Sequence, residues 1–150
     1  MPSKPGTPPR RDTGLAASLL NIEKPRQLET HPLRGALFET WVASEIAKSH
    51  LHQGRRPRLS FYRDRKGLEI DLVVERGTDL LLIEIMSAQT PSGQALASFE
   101  RFEDAIAGKQ VPRIADRVVV YAGSKTQRRS QGTILSWRDL DTYDWEGGGS

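Results

Sequence analysis

Three acidic residues stand in apolar surroundings, where their carboxylates could support metal chemistry. Glu84 lies within the apolar segment Leu80–Met86, and Asp71 lies within the alternating segment Leu68–Glu75. Glu39 falls on the apolar stripe of a predicted helix. A buried carboxylate is costly unless it is paired, protonated or bound to a cation. Because Mg²⁺ and Mn²⁺ prefer carboxylate and water ligands, we expect the three acids to form a cradle for one divalent cation.

The same acids also admit purely structural roles. Asp71 could pair with Arg63 or Arg65 across a hairpin, and Glu39 could form a salt bridge with a basic residue. A purely structural role is least favoured for Glu84, because a strand that is covered on both faces offers few partners to a carboxylate. The sequence alone leaves these alternatives open for Asp71 and Glu39.

Two long helices and five strands are predicted to position these residues. Apolar residues at a spacing of four indicate a helix over Gly35–His50, and a second helix follows Thr90 and ends near Ala107. Connection of parallel strands through that helix favours an α/β fold with a mixed central β-sheet flanked by helices. A basic loop is expected at Ser124–Ser130, and the three histidines, His50 among them, are expected at the surface. The strands are predicted at Arg58–Tyr62, Leu68–Glu75, Leu80–Met86, Arg117–Ala122 and Thr133–Trp137.

The composition fits one globular domain. The chain has 150 residues, of which 37% are hydrophobic and 27% charged, and it has no cysteine for disulfides or thiolate metal sites. We predict a flexible leader over residues 1–11, a single domain over residues 12–141 and a flexible tail over residues 142–150. No apolar run approaches the roughly 18 to 20 residues that span a bilayer. We therefore expect a cytoplasmic protein without a membrane partner.

Charge is distributed unevenly along the chain. Residues 1–66 contain 13 basic and 6 acidic residues, whereas residues 67–150 contain 9 basic and 13 acidic residues. A dense basic segment precedes the predicted acidic hairpin and could contact a nucleic-acid backbone, although a solvated loop is the simpler interpretation. The candidate nucleic-acid-binding residues in this segment are Arg55, Arg56, Arg58, Arg63, Arg65 and Lys66.

Three sequence blocks carry a family resemblance. GALFETWVASEI, FYRDRKGLEIDLVVE and LLLIEIMSAQT occur in that order, and DTGLAASLL precedes them from Asp12. Together they resemble the C-terminal domain that follows the ATPase module in prokaryotic AAA-type ATPases, the domain of unknown function 4143 family. That domain is similar in pattern to PD-(D/E)XK nucleases. Over about residues 12–140, the resemblance implies a restriction-endonuclease-like core and metal-dependent phosphodiester hydrolysis.

The resemblance implies a role for each residue of the acidic site. Glu39 corresponds to the helix acid, Asp71 to the first metal-binding acid and Glu84 to the second. The position that should hold a catalytic lysine is occupied by Met86. Such a lysine orients the attacking water and stabilises the charge of the transition state, and a thioether does neither. The resemblance therefore implies a metal site with weak or lost cleavage.

Further residues could complement this site. Arg63 or Lys66 could replace the lysine from the turn between two strands, and Gln94 could hold a water or a phosphate. No G-x-x-x-x-G-K-[ST] motif occurs, so no nucleotide binding is expected in this chain.

Two functional hypotheses follow from these residues. The first is a degenerate nuclease-like domain of an AAA-family ATPase that binds Mg²⁺ or Mn²⁺ and nucleic acid. The second is a non-catalytic protein-interaction or regulatory module, whose partner is an ATPase module or another protein.

Overall fold

The computed structural model describes residues 33–147, which form one six-stranded mixed sheet flanked by two helices. The predicted leader, the predicted domain start at Asp12 and the GGGS end lie wholly or partly outside these residues. Helix α1 spans Arg34–His52, and helix α2 spans Gly93–Ile106. The strands are β1 (Leu59–Arg63), β2 (Glu69–Arg76), β3 (Asp79–Met86), β4 (Arg113–Tyr121), β5 (Gln127–Arg129) and β6 (Gly132–Ser136). Within residues 33–147, no helix is long and apolar enough to cross a membrane.

The sheet has the strand order β1-β2-β3-β4-β6-β5. Strands β1, β2 and β3 pair antiparallel, and the turn between β2 and β3 places Gly77 at φ 57°. Glycine adopts this conformation without the steric cost of a Cβ atom. Strand β4 pairs parallel with β3 after the crossover through α2, and β6 pairs parallel with β4. The predicted mixed sheet flanked by helices is confirmed.

Each helix covers one face of the sheet. Val42 and Ile46 of α1 pack with alternate residues of the strands, including Leu81 and Ile83. Phe99 and three other buried residues of α2 pack on the opposite face, where they meet the intervening strand residues. Strand β3 is therefore covered on both sides, which explains its nearly continuous apolar sequence.

The predicted loop Ser124–Ser130 is wrong in part, because it contains β5. Strand β5 pairs antiparallel with β6 at the edge of the sheet, and its three residues are all exposed. A short exposed edge strand of Gln and Arg residues buries no apolar side chain, so it leaves no alternating pattern in the sequence.

The domain extends beyond the predicted boundary at residue 141. Trp145 is only 1% exposed and packs in the core beneath α1, and its indole Nε1 donates to the carbonyl oxygen of Leu140 at 2.8 Å. Arg76 donates to the carbonyl oxygens of Asp144 and Trp145, at 2.6 and 2.7 Å. Residues 143–145 therefore pack against the domain, beyond the predicted boundary at residue 141.

Candidate functional site

A bulge in β2 directs the Asp71 carboxylate toward β3. Between two paired positions, β2 contains Asp71 and Leu72 where β1 contains one residue. Such a bulge bends a strand and changes the direction of a side chain. The ladder between β2 and β3 ends at Leu72, and Asp71 Oδ2 accepts a hydrogen bond from the backbone N–H of Ile85 at 2.8 Å. The carboxylate thus replaces a strand carbonyl at the end of the ladder.

Asp71 and Glu84 form a coupled pair of acids at this position. Burial is the largest cause that raises the pKa of Glu84 to about 10, followed by the negative charge of Asp71 and a hydrogen bond with it. Glu84 Oε1 is buried and receives no hydrogen bond from any described donor. Two ionised carboxylates cannot form a hydrogen bond, because neither has a proton to donate. Glu84 is therefore protonated at neutral pH and donates to Asp71.

Two further carboxylates lie within electrostatic range of the Asp71–Glu84 pair. Glu39 projects from α1 and is half-buried; burial, then Asp71, then Glu69 raise its pKa to about 7. Glu39 and Glu69 also contribute to the raised pKa of Glu84. Glu69 lies two residues before Asp71 on the same strand, and its sequence context alone predicts no role for it.

Glu39 and Glu84 belong to different faces of the sheet. Among residues 33–147, no three His, Cys, Asp or Glu side chains are grouped to hold a metal ion. Residues Leu82 and Met86, which flank Glu84 in the strand alternation, pack on the α2 face, whereas Glu39 comes from α1 on the other face. Asp71 and Glu84 thus form the closest pair. The cation site with three acidic ligands stays a prediction.

Met86 is held by packing at the predicted lysine position. Its side chain packs against the α2 cluster, and the Ser92 hydroxyl donates to its sulfur at 3.9 Å. A thioether accepts hydrogen bonds weakly and donates none. No proton donor or positive charge therefore comes from this position.

The residues of the candidate site lie within a segment that matches a known protein family. The model of a protein family described as Domain of unknown function (DUF4143) matches residues 34–140. The chain belongs to this family. The match includes Glu39, Asp71, Glu84 and Met86. No curated protein matches the chain.

In this DUF4143 domain, the basic segment divides between two ends of β1. Arg63 forms an ion pair with Glu69 at 2.8 Å, and Arg65 and Lys66 are exposed in the following turn. The alternative pairing of Asp71 with Arg63 or Arg65 does not occur within residues 33–147. These three basic residues lie at the end of β2 that carries the acid pair. Arg63 and Lys66 remain candidates to supply positive charge there.

The other basic residues lie elsewhere. Arg58 forms an ion pair with Glu75 at 3.6 Å, near the opposite end of β2, and Arg55 and Arg56 precede it in the exposed connection after α1. Gln94 is exposed in the first turn of α2. The predicted nucleic-acid-binding residues therefore lie at both ends of β1 and at the start of α2.

Arg34 is a further basic residue near the site, for which the sequence predicts no role. Its guanidinium donates to the carbonyl oxygen of Ser87, which directly follows β3. Ser87 is three residues from Glu84, or about 10 Å along an extended chain. The available signal was the position of Arg34 at the start of the helix that carries Glu39.

Proposed function

We propose that this DUF4143 domain is a PD-(D/E)XK-type, nuclease-like domain that acts with an AAA-type ATPase and binds nucleic acid and a divalent cation. The observation that carries the proposal is the Asp71–Glu84 pair at the end of the β2–β3 ladder, with one buried Glu84 oxygen lacking a hydrogen-bond donor. A cation would satisfy that oxygen and remove the need for a shared proton.

Asp71 and Glu84 would hold Mg²⁺ or Mn²⁺ in this proposal. Such a cation stabilises negative charge on a phosphoryl oxygen and lowers the pKa of a bound water. Glu39 adds negative charge nearby. Met86 cannot position water as a lysine would, so we propose that cleavage is weak or lost.

Thermal unfolding with and without metal tests this proposal. Because a cation that binds only the folded state stabilises it, we expect millimolar Mg²⁺ or Mn²⁺ to raise the melting temperature of the wild type. The cation must displace the Glu84 proton, so the shift should be larger at pH 8 than at pH 6.5. Asp71→Asn should abolish the shift, whereas Glu100→Gln, on the exposed face of α2, should retain it. Equal melting temperatures with and without metal in the wild type would contradict the cation site.

Restoring a lysine is the second arm of the test. We expect Met86→Lys to fold, because the two side chains have similar length and Met86 is only half-buried. Metal-dependent cleavage of DNA or RNA should appear or increase in this variant, by a factor of about 10² to 10⁴. It should disappear in the double variant with Asp71→Ala. A folded Met86→Lys protein that cleaves no single-stranded, duplex or branched substrate would leave the site without a nuclease function.

An interaction module of an ATPase is the second candidate function. Trp137 is 37% exposed and Leu33 is 48% exposed, and the Trp137 ring lies 5.9 Å from that of Trp41 in an edge-on arrangement. Exposed aromatic residues of this kind are frequent at protein interfaces. This candidate gains support if Met86→Lys remains inactive and no metal binding is detected.

A further inference from the structure

A basic pocket lies at the end of the sheet opposite the acid pair. Its volume is about 270 Å³. Asp71 and Arg76 are five residues apart on β2, which separates the acid pair from the pocket by about 16 Å. Four arginines supply most of the positive charge. The residues that line it include His50, Arg55, Arg56, Arg58, Arg76 and Glu146.

The Glu146 carboxylate reaches into this pocket from a firmly anchored segment. Trp145, the preceding residue, is buried in the core, and Arg76 binds the carbonyl oxygens of Asp144 and Trp145. Asp144 Oδ1 accepts the backbone N–H groups of Glu146 and Gly147, at 3.1 and 2.9 Å. The side chain of Glu146 is only 10% exposed. The chain therefore holds one carboxylate among the arginines of the pocket.

Only one of the two carboxylate oxygens of Glu146 has a hydrogen-bond donor among the described residues. Arg55 Nη1 donates to Oε2, but Oε1 is buried without a hydrogen-bond donor. His50 Nε2 is 3.6 Å from Oε1, and His50 Nδ1 is 2.9 Å from the carbonyl oxygen of Ile46. Since a carbonyl oxygen only accepts, Nδ1 of His50 carries a hydrogen and donates it to Ile46. At 3.6 Å, His50 Nε2 is beyond hydrogen-bond distance, so the second carboxylate oxygen has no hydrogen-bond donor within residues 33–147.

The pocket also has more positive charge than its acids balance. Arg58 pairs with Glu75 at 3.6 Å, and Arg55 pairs with Glu146. Arg56 forms no ion pair with any residue in the range 33–147. Guanidinium groups present parallel N–H donors that match the oxygens of a phosphate. A phosphate brings more charge and more acceptor oxygens than one carboxylate.

We propose that this pocket is a phosphate-binding site in which the Glu146 carboxylate occupies the position of the phosphate in the free chain. Binding requires the Glu146 side chain to move away from Arg55. The site does not depend on the acid pair or on a metal. Its ligand is a phosphate group, either of a small phosphate compound or of a nucleic-acid backbone.

Calorimetric titration with inorganic phosphate tests the site, at constant ionic strength and with metals chelated. We expect Glu146→Gln to bind phosphate about tenfold more tightly than the wild type, because the competing charge is removed. In the Glu146→Gln background, the additional substitution Arg56→Ala should weaken phosphate binding by about tenfold, because it removes a charged hydrogen-bond donor. Arg56 is exposed, so this substitution should not prevent folding.

Glu103→Gln is the matched control. Glu103 pairs with Arg117 between α2 and β4, away from the pocket, and its substitution changes the net charge equally. Phosphate affinity should remain at the wild-type value in this variant. Equal tightening in Glu103→Gln and Glu146→Gln would overturn the proposal, because net charge alone would explain the effect. Absence of phosphate binding in folded Glu146→Gln would also overturn it.

A short single-stranded oligonucleotide distinguishes the two sources of phosphate. If the backbone of a nucleic acid is the ligand, the oligonucleotide should compete with inorganic phosphate. Glu146→Gln should then increase the affinity for both ligands. If a small phosphate compound is the ligand, Glu146→Gln should increase the affinity for inorganic phosphate and leave the affinity for the oligonucleotide unchanged. Either result supports a phosphate site. The phosphate site would be contradicted if Glu146→Gln bound the oligonucleotide more tightly but the oligonucleotide did not compete with inorganic phosphate.

Discussion

The proton that Glu84 shares with Asp71 controls the chemistry available at the acid pair. The pKa of Glu84 is raised to about 10, so this carboxyl group keeps its proton at neutral pH. A metal ion would have to replace that proton. The pair is therefore chemically different from two exposed carboxylates, which ionise below pH 5.

Glu84→Gln should make stability less dependent on pH. The folded wild type retains the Glu84 proton up to a pKa of about 10, whereas the unfolded chain loses it near pH 4.5. Stability from this group is therefore fully present below pH 4.5 and is lost progressively as pH rises toward 10. Glutamine does not titrate, and its amide can still donate to Asp71. Between pH 7 and pH 9, urea denaturation should show a wild-type loss of about 3 kcal/mol that is absent from the variant.

Stability measurements above pH 7 distinguish the contribution of Glu84 from that of Glu39. The pKa of Glu39 is raised to about 7, so its contribution falls mainly between pH 4.5 and 7. Glu100→Gln is the control, since Glu100 is exposed on α2. Parallel stability profiles of the wild type and Glu84→Gln would mean that Glu84 is ionised in the folded state.

The environment of single residues was only partly predictable. Glu84 stood out because it interrupts an apolar strand, and the structure explains its burial through Asp71. The expectation that the histidines lie at the surface is wrong for His50, which is only 5% exposed. His50 Nε2 lies 3.6 Å from Oε1 of Glu146, nearly 100 residues later, and no local sequence pattern predicts a contact across that separation.

At the scale of elements, Trp145 fixes the segment after β6. Trp145→Ala removes a fully buried indole from the core under α1, so it should lower the free energy of unfolding by about 3–5 kcal/mol. Trp137→Ala is the matched control, because Trp137 is 37% exposed and should cost about 1 kcal/mol or less. Urea denaturation of both variants provides the measurement. Equal losses in the two variants would show that the segment carrying Trp145 contributes little to the core.

Elements with a buried face were predicted well, and features without one were not. The apolar spacing in α1 and α2 and the alternation in β2 identified these elements to within a few residues. Strand β4 begins at Arg113, earlier than the predicted Arg117, because its first four residues alternate between exposed and half-buried and do not continue the apolar run. The bulge at Asp71 adds one residue against β1, which a sequence pattern with a period of two does not reveal.

Across the whole molecule, the fold separates the basic segment that looked continuous in the sequence. Arg63, Arg65 and Lys66 lie beside the acid pair, whereas Arg55, Arg56 and Arg58 lie near the basic pocket. Strand β1, five residues long, spans about 16 Å between the two groups. A nucleic-acid backbone that contacted both groups would therefore follow the edge of the sheet formed by β1.

Salt-dependent binding to nucleic acid tests this arrangement. Each phosphate contact that a basic residue makes contributes about 0.7 to 0.9 to the slope of log affinity against log salt concentration. We therefore expect both triple variants, Arg55/Arg56/Arg58→Ala and Arg63/Arg65/Lys66→Ala, to weaken binding to all sequences and to flatten the slope. The control is Lys125/Arg128/Arg129→Ala, which changes the net charge equally near the opposite edge of the sheet, at β5. If only the control loses affinity, the nucleic-acid surface lies at β5. If one of the other triple variants alone loses affinity, the backbone contacts one end of β1 and not its whole length.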